Sequence, residues 1–150
     1  MPFAMRAPEQ PVGVVDWVGV GLLVGCAALL AALEVFLVSL YAGSVVMPVS
    51  VGLAIVGNVA LPRLAFGLTG SIIAAGAPFV TWLVVLFTLG LLPRPEGDII
   101  VPGAGAPEYV YFATLFGGVI AAAVTLVVCA TPAMPKVVAP AVEEADPISR

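Results

Sequence analysis

Four long apolar runs, separated by short turn-forming or polar segments, constrain this chain more than any other feature. They cover residues 14–41, 45–66, 69–92 and 109–130, and each meets or exceeds the ~20 residues a helix needs to cross a hydrocarbon core. Of the 150 residues, 62% are hydrophobic and 9% charged, with mean hydropathy +1.21. An ordinary soluble domain is nearer half apolar and a quarter charged, and no soluble fold of this size can hide so much apolar side chain. The fold class expected is all-α: a polytopic membrane protein with four transmembrane helices in an antiparallel bundle.

The same inventory excludes several function classes. The net charge of −4 comes from acids near the N-terminus, in residues 93–109, and at Glu143, Glu144 and Asp146, so nucleic acid is not an expected partner. There is no His, which removes His-ligated haem, His-zinc sites and Ser-His or Cys-His nucleophilic catalysis. Cys26 and Cys129 both fall inside apolar runs, where they are expected as small buried hydrophobes and not as a disulfide. The choice of Arg over Lys, four to one, fits a GC-rich bacterial genome.

Taken in order, residues 1–13 hold three prolines and mixed charges and read as a short irregular leader. A signal peptide is the competing reading of Arg6 followed by an apolar stretch, but its hydrophobic region is only ~7–15 residues long. In the first span Trp17 and Tyr41 stand at the two ends, as interfacial anchors do. Ala42-Gly43-Ser44 then turns the chain into a second span over 45–66, with Pro48 tolerated in its first turn and Leu61-Pro62-Arg63 marking its far end. The third span, 69–92, contains Gly76 and Pro78. Proline there removes one hydrogen bond and crowds the carbonyl of Ala74, so a helix kink is expected. Residues 93–108, PRPEGDIIVPGAGAPE, form the one long interruption. Residues 131–150 carry four prolines and acidic clusters and read as a disordered tail.

Lys and Arg near span ends stay in the cytoplasm. With four spans, Arg6, Arg63, Lys136 and Arg150 share one side and Arg94 stands alone on the other. Both termini are therefore expected to be cytoplasmic, the 93–108 loop external, and Tyr109 and Tyr111 at the outer interface. The plasma membrane is the expected location. Small residues at four-residue spacing favour helix contact in lipid: Gly21 and Gly25 in the first span, Gly67, Ser71 and Ala75 in the third, Gly117, Ala121 and Thr125 in the fourth. Such rows serve contacts within the bundle or an oligomer face.

Three features bear on chemistry. Glu34 is an ionisable residue inside an apolar run, costing about +2.5 kcal/mol or more at mid-membrane. With Trp17 at the inner boundary and ~1.5 Å per residue, it falls within about one turn of the outer boundary, so a carboxylate near the interface is expected, snorkelling or salt-bridged with Arg94 as the candidate partner, or else in contact with a partner chain. A proton or cation site is the functional reading of the same residue. The second feature, the Gly76–Pro78 interruption, reads as a packing kink, with a midplane cavity framed by Ser71, Thr81 and Trp82 as the alternative. The third is the set Glu96, Asp98 and Glu108, which reads as turn chemistry and not as a metal site. No catalytic, cofactor or metal residues are assigned, and no cofactor is expected.

Four spans with one acid in the first invite comparison with small multidrug resistance transporters, but those carry the acid near mid-helix and have short loops. Pro93-Arg94-Pro95-Glu96-Gly97-Asp98 resembles the segment that opens the last external loop in uncharacterised small four-helix integral membrane proteins of actinobacteria, a resemblance that covers most of the chain and implies no activity. The function expected is that of a non-enzymatic accessory or interaction subunit of a cell-envelope complex. Its partners are the lipid bilayer and other membrane subunits or a second copy of itself. The alternative is a small oligomeric transporter or channel using Glu34. An enzyme is not expected, because the spans hold no acid pair, nucleophile–base pair or metal-ligand cluster.

Overall fold

The computed structural model describes residues 12–91 and 105–131. Most of the leader, loop residues 92–104 with Arg94, Glu96 and Asp98, and the tail from 132 lie outside the described residues. Four helices follow one another: α1 Val14–Leu37, α2 Val49–Thr69, α3 Ile72–Leu91 and α4 Ala106–Ala130. Each is long and apolar enough to cross a membrane, where a helix satisfies its own backbone groups and so is one of the few structures that can span lipid. They form an antiparallel bundle in which α1 packs on both α3 and α2, and α4 packs chiefly on α2. The protein is an all-α, multi-pass membrane bundle.

The first connection differs from the expected simple turn. α1 stops at Leu37, and two short strands, β1 Tyr41–Ala42 and β2 Val45–Val46, pair antiparallel with Tyr41 opposite Val46. Met47 N–H adds a further bond to Leu40 O at 2.9 Å. The two-residue loop puts Gly43 at φ +66, a conformation that glycine adopts without a Cβ penalty and that a tight hairpin needs at its first central position. The β-branched Val45 and Val46 favour the extended state, so the second helix begins only after Pro48. Tyr41 lies in this hairpin, outside α1.

Pro62 does not end α2. The helix runs through it to Thr69 and closes at Gly70, in the left-handed conformation (φ 66, ψ 5), whose N–H bonds Phe66 O at 2.7 Å. Glycine is the usual residue for such a C-terminal cap. Only Gly70 and Ser71 then separate α2 from α3. Consequently Gly67 and Ser71 are not part of α3, and the expected Gly67, Ser71, Ala75 row is not a single helical face. α3 passes through both Gly76 and Pro78 without interruption. α4 starts three residues earlier than expected, at Ala106. Pro107 lies in its first turn, where its missing N–H costs no intrahelical bond, and Glu108 suits the positive end of the helix.

The interior is built on small residues. Ala27, Ala31 and Val35 of α1, four apart, face Ala54 of α2 and Trp82 and Leu86 of α3, while Val20, Ala65 and Ala74 form a second cluster. Lipid offers no hydrophobic drive between helices, so close backbone approach and dispersion have to hold them together. Four glycines make room for large side chains: Gly19 for Leu68, Gly57 for Leu30, Gly90 for Tyr111 and Gly118 for Trp82.

A buried carboxyl and indole as the candidate functional site

Glu34 lies three residues from the end of α1, yet its side chain is 0% exposed. Helical side chains lean toward the N-terminus of their own helix, which carries this carboxyl back from the helix end into the bundle. There Trp82 Nε1 donates to Glu34 Oε2 at 2.8 Å. Trp82 is itself 1% exposed and is the eleventh residue of the twenty in α3. The carboxyl therefore faces the middle of the bundle, and the expectation of a carboxylate reaching out to the interface is corrected. Its second oxygen, Oε1, is buried and has no hydrogen-bond partner among the described residues. Arg94, the expected ion-pair partner, lies outside the described residues.

The indole extends beyond Glu34 across the bundle. The far edge of its six-membered ring sits against Gly118 of α4, where an added Cβ would stand 2.7 Å from Cζ2 of Trp82 and 3.1 Å from Nδ2 of Asn58. Asn58, on α2, donates to Ala54 O at 3.0 Å. One carboxyl, one indole, one amide and one bare glycine thus bring all four helices to a single place. Phe79, one turn earlier on α3, stacks near the indole with ring centroids 6.2 Å apart.

A second polar layer lies nearer the hairpin. Thr114 Oγ1 donates to Val110 O at 2.8 Å, which commits its proton, so in the 2.9 Å pair with Ser50 the serine is the donor. Tyr111 hydroxyl donates to Leu86 O at 3.0 Å, with the ring 1% exposed. This corrects the expected aromatic belt: Tyr109, 74% exposed, faces outward, whereas Tyr111 two residues on faces the interior. Two positions on a helix turn about 200°, so the two tyrosines were never able to share a face.

Cys26 is exposed and Cys129 half-buried, both as free thiols, contrary to their expected burial. Among the described residues no group of three His, Cys, Asp or Glu stands close enough to hold a metal ion. Gly76 is half-buried and Pro78 buried; Pro78 precedes Trp82 by four residues in α3, which puts it on the same helix face as the indole. Sequence reasoning singled out Glu34 by its charge but missed Trp82 and Gly118 as its companions; a large indole and a bare glycine at matching depth were the available signal. Comparison with protein-family models, with curated proteins and with solved structures finds no match.

Proposed function

We propose that the protein is a non-enzymatic interaction subunit of the plasma membrane, which docks a second transmembrane helix on the outer face of α1. The observation that carries this reading is a contrast among glycines. Gly19, Gly57, Gly90 and Gly118 each receive a large side chain, whereas a Cβ at Gly21 or Gly25, as at Gly52, Gly67 and Gly76, would meet nothing within 4 Å. Among these open glycines Gly21 and Gly25 alone stand four apart on one helix, both are exposed, and a side chain at either would face no other described residue. In lipid that spacing admits close backbone approach by a partner helix. A second copy of α1 is the simplest such partner, because the motif is complementary to itself.

Cys26 follows Gly25 and is exposed, so it reports on this face directly. In membranes carrying the Cys129→Ser variant, mild oxidation is expected to yield a Cys26-linked dimer, and Gly21→Ile or Gly25→Ile is expected to reduce it several-fold. A chain that stays monomeric under oxidation would remove self-pairing through α1.

In this reading both termini are cytoplasmic and residues 93–108 external, because four of five Lys and Arg lie toward the terminal side. Fusions after Gly103 are expected to be active as alkaline phosphatase and dark as green fluorescent protein, with the reverse at the C-terminus. An active phosphatase at the C-terminus would contradict it.

Transport through Glu34 is the second reading, favoured by its unpartnered Oε1. An acid within a membrane bundle is a functional candidate by default. The Glu34→Gln variant discussed below separates the two.

A further inference from the structure

We propose that the groove between α2 and α4 holds one anionic phospholipid, with its phosphate on the Arg63 guanidinium and an acyl chain lying along the groove. This inference is independent of the α1 face, since it concerns two other helices.

The groove has a volume of about 340 Å³. One wall is the row Ile55, Val59, Arg63 of α2; the other is the row Gly117, Ala121, Thr125 of α4, with Ile120 and Val124 forming its outer rim. Both rows run at four-residue spacing, so they form parallel ridges along their helices, and the small residues on α4 leave the depth between them. A Cβ at Gly117 would meet Ile55 and Val51 at ordinary van der Waals distances of 3.5 and 3.7 Å, so the two helices touch at that glycine without crowding. From Ile55 to Arg63 the helix rises ~12 Å, close to the thickness of one leaflet, half of a core ~30 Å across.

Charge selects the occupant. Arg63 is exposed on an otherwise apolar wall and makes no ion pair among the described residues. It lies six residues, ~9 Å, before the end of α2 at Thr69. A lipid-facing Arg at that depth reaches toward the headgroups along its aliphatic stem, and there its planar fork matches a phosphate. Basic residues beside grooves between transmembrane helices are the physical basis of acidic-lipid binding. An apolar trough that ends in a guanidinium with no ion pair among the described residues suits an amphiphile with an apolar tail and an anionic head. The leaflet is the one on the side of the chain termini.

The test is native mass spectrometry of the full chain in mild detergent, with added phosphatidylglycerol, or phosphatidylcholine of identical chains, or inorganic phosphate. One phosphatidylglycerol is expected to be retained per chain, roughly five- to tenfold more strongly than phosphatidylcholine. Arg63→Gln should remove that preference, and Arg63→Lys should keep most of it. Ala121→Leu, which fills the trough and keeps the charge, should lower retention of both lipids. Equal retention of the two lipids by the native chain overturns the proposal. So does an unchanged preference in Arg63→Gln with native helical content. Displacement of the lipid by millimolar inorganic phosphate overturns it too, because it would show a simple anion site. Should Arg63→Gln fail to fold, the contrast between the two lipids on the native chain and on Arg63→Lys still decides.

Discussion

Trp82→Ala is expected to cost about 3–5 kcal/mol of bundle stability, the range for emptying a buried aromatic site. The residue is fully buried, spans the interior, and bridges α1 and α4. Its removal opens a cavity and also leaves both Glu34 oxygens without a donor. Trp82→Phe separates these effects, because the smaller ring keeps much of the packing and lacks the N–H. Hydrogen bonds between transmembrane helices average only ~0.6 kcal/mol and reach ~1.7, but here the acceptor left behind is a carboxyl, and stranding a buried acceptor costs about 1–3 kcal/mol or more. Trp82→Phe is therefore expected to fall between native and Trp82→Ala. Glu34→Gln keeps an oxygen for the indole and should stay within about 1 kcal/mol of native. Reversible unfolding in mixed detergent micelles, followed by circular dichroism, gives these values. Native stability in Trp82→Phe would show that the indole–carboxyl bond holds nothing. If Glu34→Gln folds normally while reconstituted vesicles lose a proton or cation flux that the native chain supports, the transport reading replaces the interaction-subunit reading.

The neighbouring glycines of α4 are expected to respond in opposite ways. A Cβ at Gly118 would collide with the six-membered ring of Trp82 and press on Asn58, whereas one at Gly117 would make only ordinary contacts of 3.5 Å or more. Gly118→Val should lose about 1–3 kcal/mol or more through overpacking. Gly117→Ala should be neutral or slightly stabilising, since alanine is the better helix former by about 1 kcal/mol. Combining Gly118→Ala with Trp82→Phe should cost clearly less than the sum of the single changes, because the shorter ring vacates the space the methyl needs. Equal effects at positions 117 and 118 would mean that α4 is rotated from the orientation described here.

The four spans were legible because length and hydropathy are one-dimensional quantities, and no packing knowledge is needed to count them. What escaped was everything that depends on direction. A straight ladder of ~1.5 Å steps put Glu34 at the outer boundary, but the lean of its side chain and the reach of an indole from the next-but-one helix put its carboxyl inside. Tyr111 was assigned to the interface by its nearness in sequence to Tyr109, and the helical rotation between them decided otherwise. Pro62 was misread as a stop signal; the true stop, Gly70, was visible as a glycine closing an apolar run. Gly21 and Gly25 were legible as a motif but not as an outward face, because a helix with lipid on one side and protein on the other carries little contrast in hydrophobicity around its circumference.

The reach of Trp82 also has a mechanical meaning. α1 and α4 scarcely touch one another, yet a single rigid plane is tethered to α1 at its nitrogen and braced on α4 at its far edge. The ring acts as a strut between two helices that are otherwise strangers. A tilt of α1 would therefore push on α4 through this strut as well as through α2, which packs on both, and α4 forms one wall of the groove beside Arg63.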